Sequence, residues 1–200
     1  LAWDAGRGKL WACDTSSGVY LVDMAAGTSQ FKFTSAGCFD GLGYDGADDT
    51  VWASADASNT LVHYSTAGAV LGTFTVNLGG YGNSGIAVGG PELFLANNGG
   101  SQIYRSNKTL TSTTLFATFP VRLEDLECDD RTFSGQGVGA IWSIDAYDRD
   151  LRAWEVQAGV CGFGGVAVPV MPWPAMLGLA VVLAWFTRRT LQRRQPSALA

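Results

Sequence analysis

Four consecutive runs, GLGYD (Gly41–Asp45), DDTVWASAD (Asp48–Asp56), NTLVHYST (Asn59–Thr66) and GAVLGTFTV (Gly68–Val76), decide how this 200-residue chain reads. Val, Leu, Trp, Tyr, Phe and Thr fill the runs, while Gly, Asp, Asn and Ser fill the breaks at Gly46–Asp49, Asp56–Asn59 and Ala67-Gly68. β-branched and aromatic side chains suit a pleated, half-buried surface, and the break residues tolerate turn geometry. The stretch therefore predicts four short antiparallel strands joined by tight turns.

The pattern occurs three more times. Its first run is Leu1-Ala2-Trp3-Asp4, Leu42-Gly43-Tyr44-Asp45, Ile86-Ala87-Val88-Gly89 and Leu126-Glu127-Cys128-Asp129. The second runs align as Leu10 to Asp14, Val51 to Asp56, Leu93 to Asn97 and Ile141 to Asp145, and the third begin at Val19, Leu61, Ile103 and Leu151. A four-strand unit recurring about every 40 to 45 residues implies an all-β fold, a β-propeller built of four-stranded antiparallel blades. One blade leaves a sheet face uncovered, and stacking blades around an axis covers it. The boundaries read as blades at 1–40, 41–85, 86–122 and 123–165, followed by a distinct segment at 166–200. No fourth strand is legible after Trp154-Glu155-Val156. The chain opens on a strand, without an initiator Met or a charged-then-apolar leader, so four visible blades of a larger ring are expected, with a small four-bladed ring as the alternative.

These runs resemble NHL and YVTN-type propellers, in which GLAYD-, LWVAD- and TIYRID-like strands recur. The resemblance spans residues 1–156 in four copies. It implies a fold and leaves the activity open, because propellers carry many functions.

Apolar residues make up 47% of the chain, enough for a core, and 26 glycines with only 16% charged residues fit a turn-rich β protein. All 18 acidic residues lie between Asp4 and Glu155, against nine basic ones there, and the other four Arg sit near the C-terminus. A body this acidic excludes a nucleic-acid partner, which would need Lys and Arg against phosphates.

From Val166 to Thr187 there is no charged residue. Pro169, Pro172 and Pro174 precede the apolar run Ala175 to Phe186, and Arg188, Arg189, Arg193 and Arg194 follow it. Proline suits the first turn of a helix, so one transmembrane helix is expected to begin at Pro172 or Pro174, with the Arg-rich end cytoplasmic. The run is short for a full span of about 20 residues unless Val166 to Trp173 also enters the bilayer, and a buried core helix is the alternative. The layout resembles C-terminal sorting signals of the PEP-CTERM and IPTL-CTERM kind. That resemblance implies a bacterial cell-surface protein and a sorting protease or transpeptidase as partner. The segment Val168-Pro169-Val170-Met171-Pro172-Trp173-Pro174 lacks both a Pro-Glu-Pro and an Ile-Pro-Thr-Leu sequence, so a plain membrane anchor stays open.

Four cysteines, Cys13, Cys38, Cys128 and Cys161, in a chain of exported appearance point to disulfides. Pairs Cys13–Cys38 and Cys128–Cys161 are favoured because each falls within or just after one blade. Zinc is the alternative, with no Cys-x-x-Cys spacing to support it. His63, the single histidine, reads as an ordinary strand position. Asp14, Asp56, Asn97 and Asp145 recur after the second run and read as turn-shaping residues.

The acidic cluster around Glu127 is less ordinary. Glu127 stands where the other copies carry Ala2, Gly43 and Ala87, in a cluster with Glu124, Asp125, Asp129 and Asp130. A carboxylate there faces the central channel or needs a partner such as Arg122, because unpaired buried charge is costly. Glu127, Asp125 and Asp129 are the candidate ligands for a cation such as calcium, which takes several oxygens. Trp11, Trp52, Phe94 and Trp142 are expected as core aromatics between blades. The sequence thus reads as an extracytoplasmic, membrane-held binding or structural module without catalysis, its partner a protein or carbohydrate. The alternative is a propeller lyase or hydrolase with a cation in the channel; a quinoprotein-like dehydrogenase has no legible cofactor pocket.

Overall fold

The computed structural model describes residues 1–162, apart from Thr15, Phe39, Tyr81, Asn98, Ala146, Tyr147 and Arg149. The expected anchor helix and its markers Pro169, Pro172, Pro174, Arg188 and Arg189 lie outside the described residues. Among the described residues, no helix is long and apolar enough to cross a membrane.

Four antiparallel sheets follow one another along the chain. Blade one is β1 (Ala2–Asp4), β2 (Lys9–Cys13), β3 (Gly18–Asp23) and β4 (Thr28–Thr34). Blade two is β5 (Gly41–Asp45), β6 (Thr50–Ser54), β7 (Thr60–Ser65) and β8 (Val70–Thr75). Blade three is β9 (Asn83–Gly89), β10 (Glu92–Asn97), β11 (Gln102–Asn107) and β12 (Thr113–Thr118). Blade four is β13 (Leu126–Asp129), β14 (Val138–Asp145) and β15 (Asp150–Gln157), three strands among the described residues, with a 3-10 turn at Ser134–Gln136. The fold is an all-β, four-bladed propeller with β1, β5, β9 and β13 innermost.

Register explains the repeat. Each large side chain on a second strand lies opposite a chosen residue on the inner strand: Ala2 opposite Trp11, Gly43 opposite Trp52, Ala87 opposite Phe94 and Glu127 opposite Trp142. The third and fourth strands of blades one to three each slip register once, after Val19 and Ile103 at one repeat position and after His63, two residues further along, in blade two. Such bulges bend and twist an outer strand.

Three of the aromatics seal blade to blade. Trp11 packs with Leu42, Val51, Ala53 and Tyr64 of blade two. Trp52 packs with Ile86, Val88, Leu93 and Leu95 of blade three. Phe94 packs with Leu126, Ile141 and Val156 of blade four. All three are fully buried, each contributing about 4 to 6 kcal/mol of gross hydrophobic stabilisation. Trp142 departs from the expectation of a core aromatic: it is half-buried, because no described cluster covers the outer face of blade four in the same way.

Two disulfides, Cys13–Cys38 and Cys128–Cys161, join the favoured pairs, with Cα atoms 5.8 and 5.1 Å apart. The second ties the chain after β15 back to the innermost strand of its own blade.

Close approach of backbone makes Gly85 irreplaceable, since a Cβ there would overlap the Glu124 carbonyl, whereas Gly135 has nothing within 4 Å of its Cβ position. Gly85→Ala is expected to lower Tm by roughly 5 to 10 °C and Gly135→Ala by about 1 °C or less, read by thermal unfolding. Equal values for the two would show that blades three and four do not meet this closely.

Candidate functional site

The face of blade four that carries Trp142 meets blade one across a seam. A cavity of about 550 Å³ opens there, lined by Trp3, Tyr44, Trp142, Glu127, Asp129 and Asp130, with Cys128 and Cys161 in its wall. A smaller, apolar cavity of about 220 Å³ shares Trp3, Glu127 and Trp142 and continues between Leu10, Ile144 and Leu151. Trp3 is 46% exposed although its neighbours Ala2 and Asp4 are buried, and Leu151 is 67% exposed. The seam thus leaves in solvent the kind of surface that the other three interfaces bury.

Each wall residue is held from behind. The Tyr44 hydroxyl donates to Asp49 (2.9 Å) and accepts from Arg7 (3.0 Å), and its ring stacks on Trp11. Arg7 also reaches Asp4 (2.6 Å) and Asp49 (2.8 Å), which clamps blade one to blade two. Trp142 stacks on Phe133, and its indole N–H donates to Asp129 Oδ2 (3.0 Å).

The carboxyls on β13 have opposite characters. Asp129 Oδ1 accepts the backbone N–H groups of Arg131 (2.8 Å) and Thr132 (3.0 Å). Burial opposes its ionisation, yet with the Trp142 indole these donors hold its pKa down at about 2. Glu127 is pushed up to about 8, by burial first and then by the charge of Asp125, against one backbone N–H from Trp3. It is neutral at pH 7. Burial also raises Asp130, whose Oδ1 has no hydrogen-bond partner.

At the opposite mouth, Asp125 pairs with the Leu1 ammonium (2.5 Å), and burial raises its pKa. Asp40 is pushed up to about 7 by burial first, then by Asp56, Asp125 and Glu124. Asp125 and Asp129 stand four residues apart along an extended chain, about 13 Å. The structure brings Glu127 beside each of them but does not bring those two together. Among the described residues, no group of three or more His, Cys, Asp or Glu is placed to hold a metal ion. Arg122, the expected partner of Glu127, makes its ion pair with Glu124 (2.8 Å).

His63 stacks on Trp52 at 4.0 Å, bonds to Thr50 (2.7 Å) and has its pKa lowered by burial, all of which fit packing. Asp14 shapes its turn by accepting from Ser16 and Gly18 (both 2.8 Å). Sequence reasoning missed Trp3 and Tyr44 as cavity walls, while Asp130 belongs to the acidic cluster it singled out. It also missed an Asp–indole bond that recurs between Asp4 and Trp11 (3.2 Å) and between Asp129 and Trp142. The bond spans seven residues in blade one and 13 in blade four, and blade two repeats the seven-residue spacing at Asp45 and Trp52 without forming it, so spacing alone did not signal it.

No family model matches this chain, and no curated protein matches it in sequence. Among solved structures it is similar to a chain of a mitotic checkpoint complex, at 14% identity over 78% of this chain and 48% of that one, with a TM-score of 0.52. It is also similar to a streptogramin B lyase (13%, 78% and 53%, 0.48) and to virginiamycin B lyase from Staphylococcus aureus (15%, 76% and 53%, 0.45). The chain spans about half the length of these structures. At such identities the likeness bears on the fold alone.

The neutral Glu127 makes stability depend on pH. Its folded pKa of about 8 lies above the ordinary 4.5, so its contribution is complete below pH 4.5 and is lost as pH rises through about 8. Glu127→Gln keeps the neutral shape at every pH. Its Tm should match the parent at pH 5 and exceed it by about 5 °C at pH 9. Parallel Tm profiles for the two proteins would mean that Glu127 is ionised in the folded chain.

Proposed function

We propose that this chain is an extracytoplasmic binding module, a propeller that offers a ligand cavity at its blade four–blade one seam and is held at the cell envelope by its C-terminal segment. The cavity carries the proposal: about 550 Å³ falls in the range of small-molecule sites, and aromatic walls with a few convergent polar groups are what such sites present. A non-catalytic role is supported by Asp129, whose two oxygens are occupied by Arg131, Thr132 and Trp142. Two disulfides support an oxidising compartment. The apolar run Ala175 to Phe186 followed by Arg188 and Arg189 supports a membrane anchor and, with Pro169, Pro172 and Pro174, a sorting enzyme as partner.

One observation favours an enzyme as second reading. Glu127 at about 8 and Asp129 at about 2, on one strand, are pushed apart as an acid and a base are in hydrolytic and lyase sites. A calcium ion beside Glu127 belongs to that reading.

Two experiments test the module. The full chain should sediment with membranes and be shaved from intact cells by added protease, while Val181→Lys, a charge costing about 3 kcal/mol at a helix centre, should move it to the soluble fraction. A soluble parent chain would end the anchor. A fluorescence screen of neutral sugars, aromatic fragments and small amines should find at least one ligand whose signal disappears in Trp142→Ala. No such ligand in any class would end the binding reading.

A further inference from the structure

The seam cavity combines aromatic faces, carboxylates and very little positive charge. Trp3, Tyr44 and Trp142 form one set of walls, and Glu127, Asp129 and Asp130 form the other. Arg131, exposed at the rim, is the one cationic side chain among the lining residues, and Arg7 stands behind them over the Tyr44 ring, 5.9 Å from its centroid. Asp130 adds a carboxyl to the wall, while its Oδ1 is turned inward against Gly139 and away from the cavity.

Four ligand chemistries are distinguishable here. An anion meets three carboxyls. A hard metal ion wants several free oxygens, and the oxygens of Asp129 are already bonded to Arg131, Thr132 and Trp142. A sugar wants donors as well as acceptors; the Trp142 indole N–H is spent on Asp129, which leaves Arg131 and the protonated Glu127 as donors in a wall made mostly of rings and carboxyls. A weakly hydrated organic cation wants π faces and nearby negative charge, which the walls supply together.

We infer that the seam binds an organic ammonium ion, its cationic head between Trp3 and Trp142 and beside the Asp129 and Asp130 carboxyls. The inference rests on reading the seam as a ligand site. The adjoining apolar cavity adds a second feature. It shares Trp3 and Trp142 with the larger one and is walled by Leu10, Ile144 and Leu151, so it takes an apolar group attached to that head. The favoured ligand is therefore an ammonium carrying an aryl or alkyl substituent. Trp3 is the selective probe, because it is 46% exposed and its side chain can be removed without opening a core.

The test uses the full chain in detergent and three probes, benzyltrimethylammonium, choline, and 3,3-dimethylbutan-1-ol, the neutral isostere of choline, with neutral sugars and calcium chloride as competing classes. Binding is read by tryptophan fluorescence and calorimetry. Benzyltrimethylammonium should bind at least tenfold more tightly than choline, and the neutral isostere should not bind. Trp3→Ala and Asp130→Asn should each weaken benzyltrimethylammonium about tenfold or more while Tm stays within about 2 °C. Equal affinity for choline and its neutral isostere would overturn the cation inference and leave a binding site in place. Binding by neutral sugars alone, lost in Trp142→Ala, would do the same. A calcium response that Trp3→Ala leaves intact, with no ammonium binding, would overturn it in favour of a metal. If no probe class binds at all, the ligand-site reading fails together with the inference.

Discussion

Everything in this ring depends on one packing constraint: a large aromatic on the second strand of each blade must be covered by the next blade. A Trp buries 150 to 250 Å², and its neighbour on the innermost strand has to be small for the following blade to come close. Ala2, Gly43 and Ala87 meet that demand opposite Trp11, Trp52 and Phe94. A Cβ on Gly43 would stand 3.0 Å from Ile86 of blade three, so little room is left beside these inner positions. Where the demand is met, the aromatic is fully buried and the interface is closed. Opposite Trp142 stands Glu127, and the interface is open.

The two carboxyls that follow from this arrangement show how strongly local donors decide charge. Glu127 and Asp129 sit two residues apart on one strand. Asp129 gathers two backbone N–H groups and an indole, and it is ionised at any ordinary pH. Glu127 has the Trp3 N–H and the repulsion of Asp125, and it keeps its proton. Hydrogen bonds to the charged form outweigh burial in the first case and fall short of it in the second. Blade three shows the same logic by omission. There the Asp and Trp of blade one are replaced by Gly89 and Phe94, and a Cβ on Gly89 would stand 2.7 Å from the Phe94 ring. Losing the indole removes the need for the acceptor.

The strands and both disulfide pairs were legible in the sequence because each leaves a local mark. Strand alternation, turn residues and a fixed repeat are short-range signals, and a cysteine pair confined to one blade needs little long-range information. The inner-strand comparison also singled out Glu127, since a carboxylate among Ala and Gly breaks a pattern. What escaped was geometry across the seam. The repeat grouped Trp142 with three buried aromatics, and nothing in the run Ile141 to Asp145 reveals that its covering neighbour is incomplete. The same holds for Asp125 and Asp129, which share an acidic cluster in sequence but face opposite mouths of the ring. Spacing along a strand is simple to read, while the side of a cavity on which a group falls depends on residues more than 100 positions away, as the pairing of Leu1 with Asp125 illustrates.

The open seam is also where rigidity and access are reconciled. Three sealed interfaces hold blades one to four against each other in sequence, so the walls of the fourth interface are positioned without touching much of each other. Trp142 is fixed by Phe133 and Asp129, Tyr44 by Trp11, Arg7 and Asp49, and Cys128 by its bond to Cys161. A binding site benefits from side chains whose rotamers are set before the ligand arrives, because less entropy is then lost on association. Covering Trp142 with a small residue and a close neighbour, as in the other blades, would stabilise the ring and abolish the cavity. Glu in place of Ala or Gly at this one inner position sets a half-buried carboxyl that keeps its proton directly opposite the aromatic, beside the open seam.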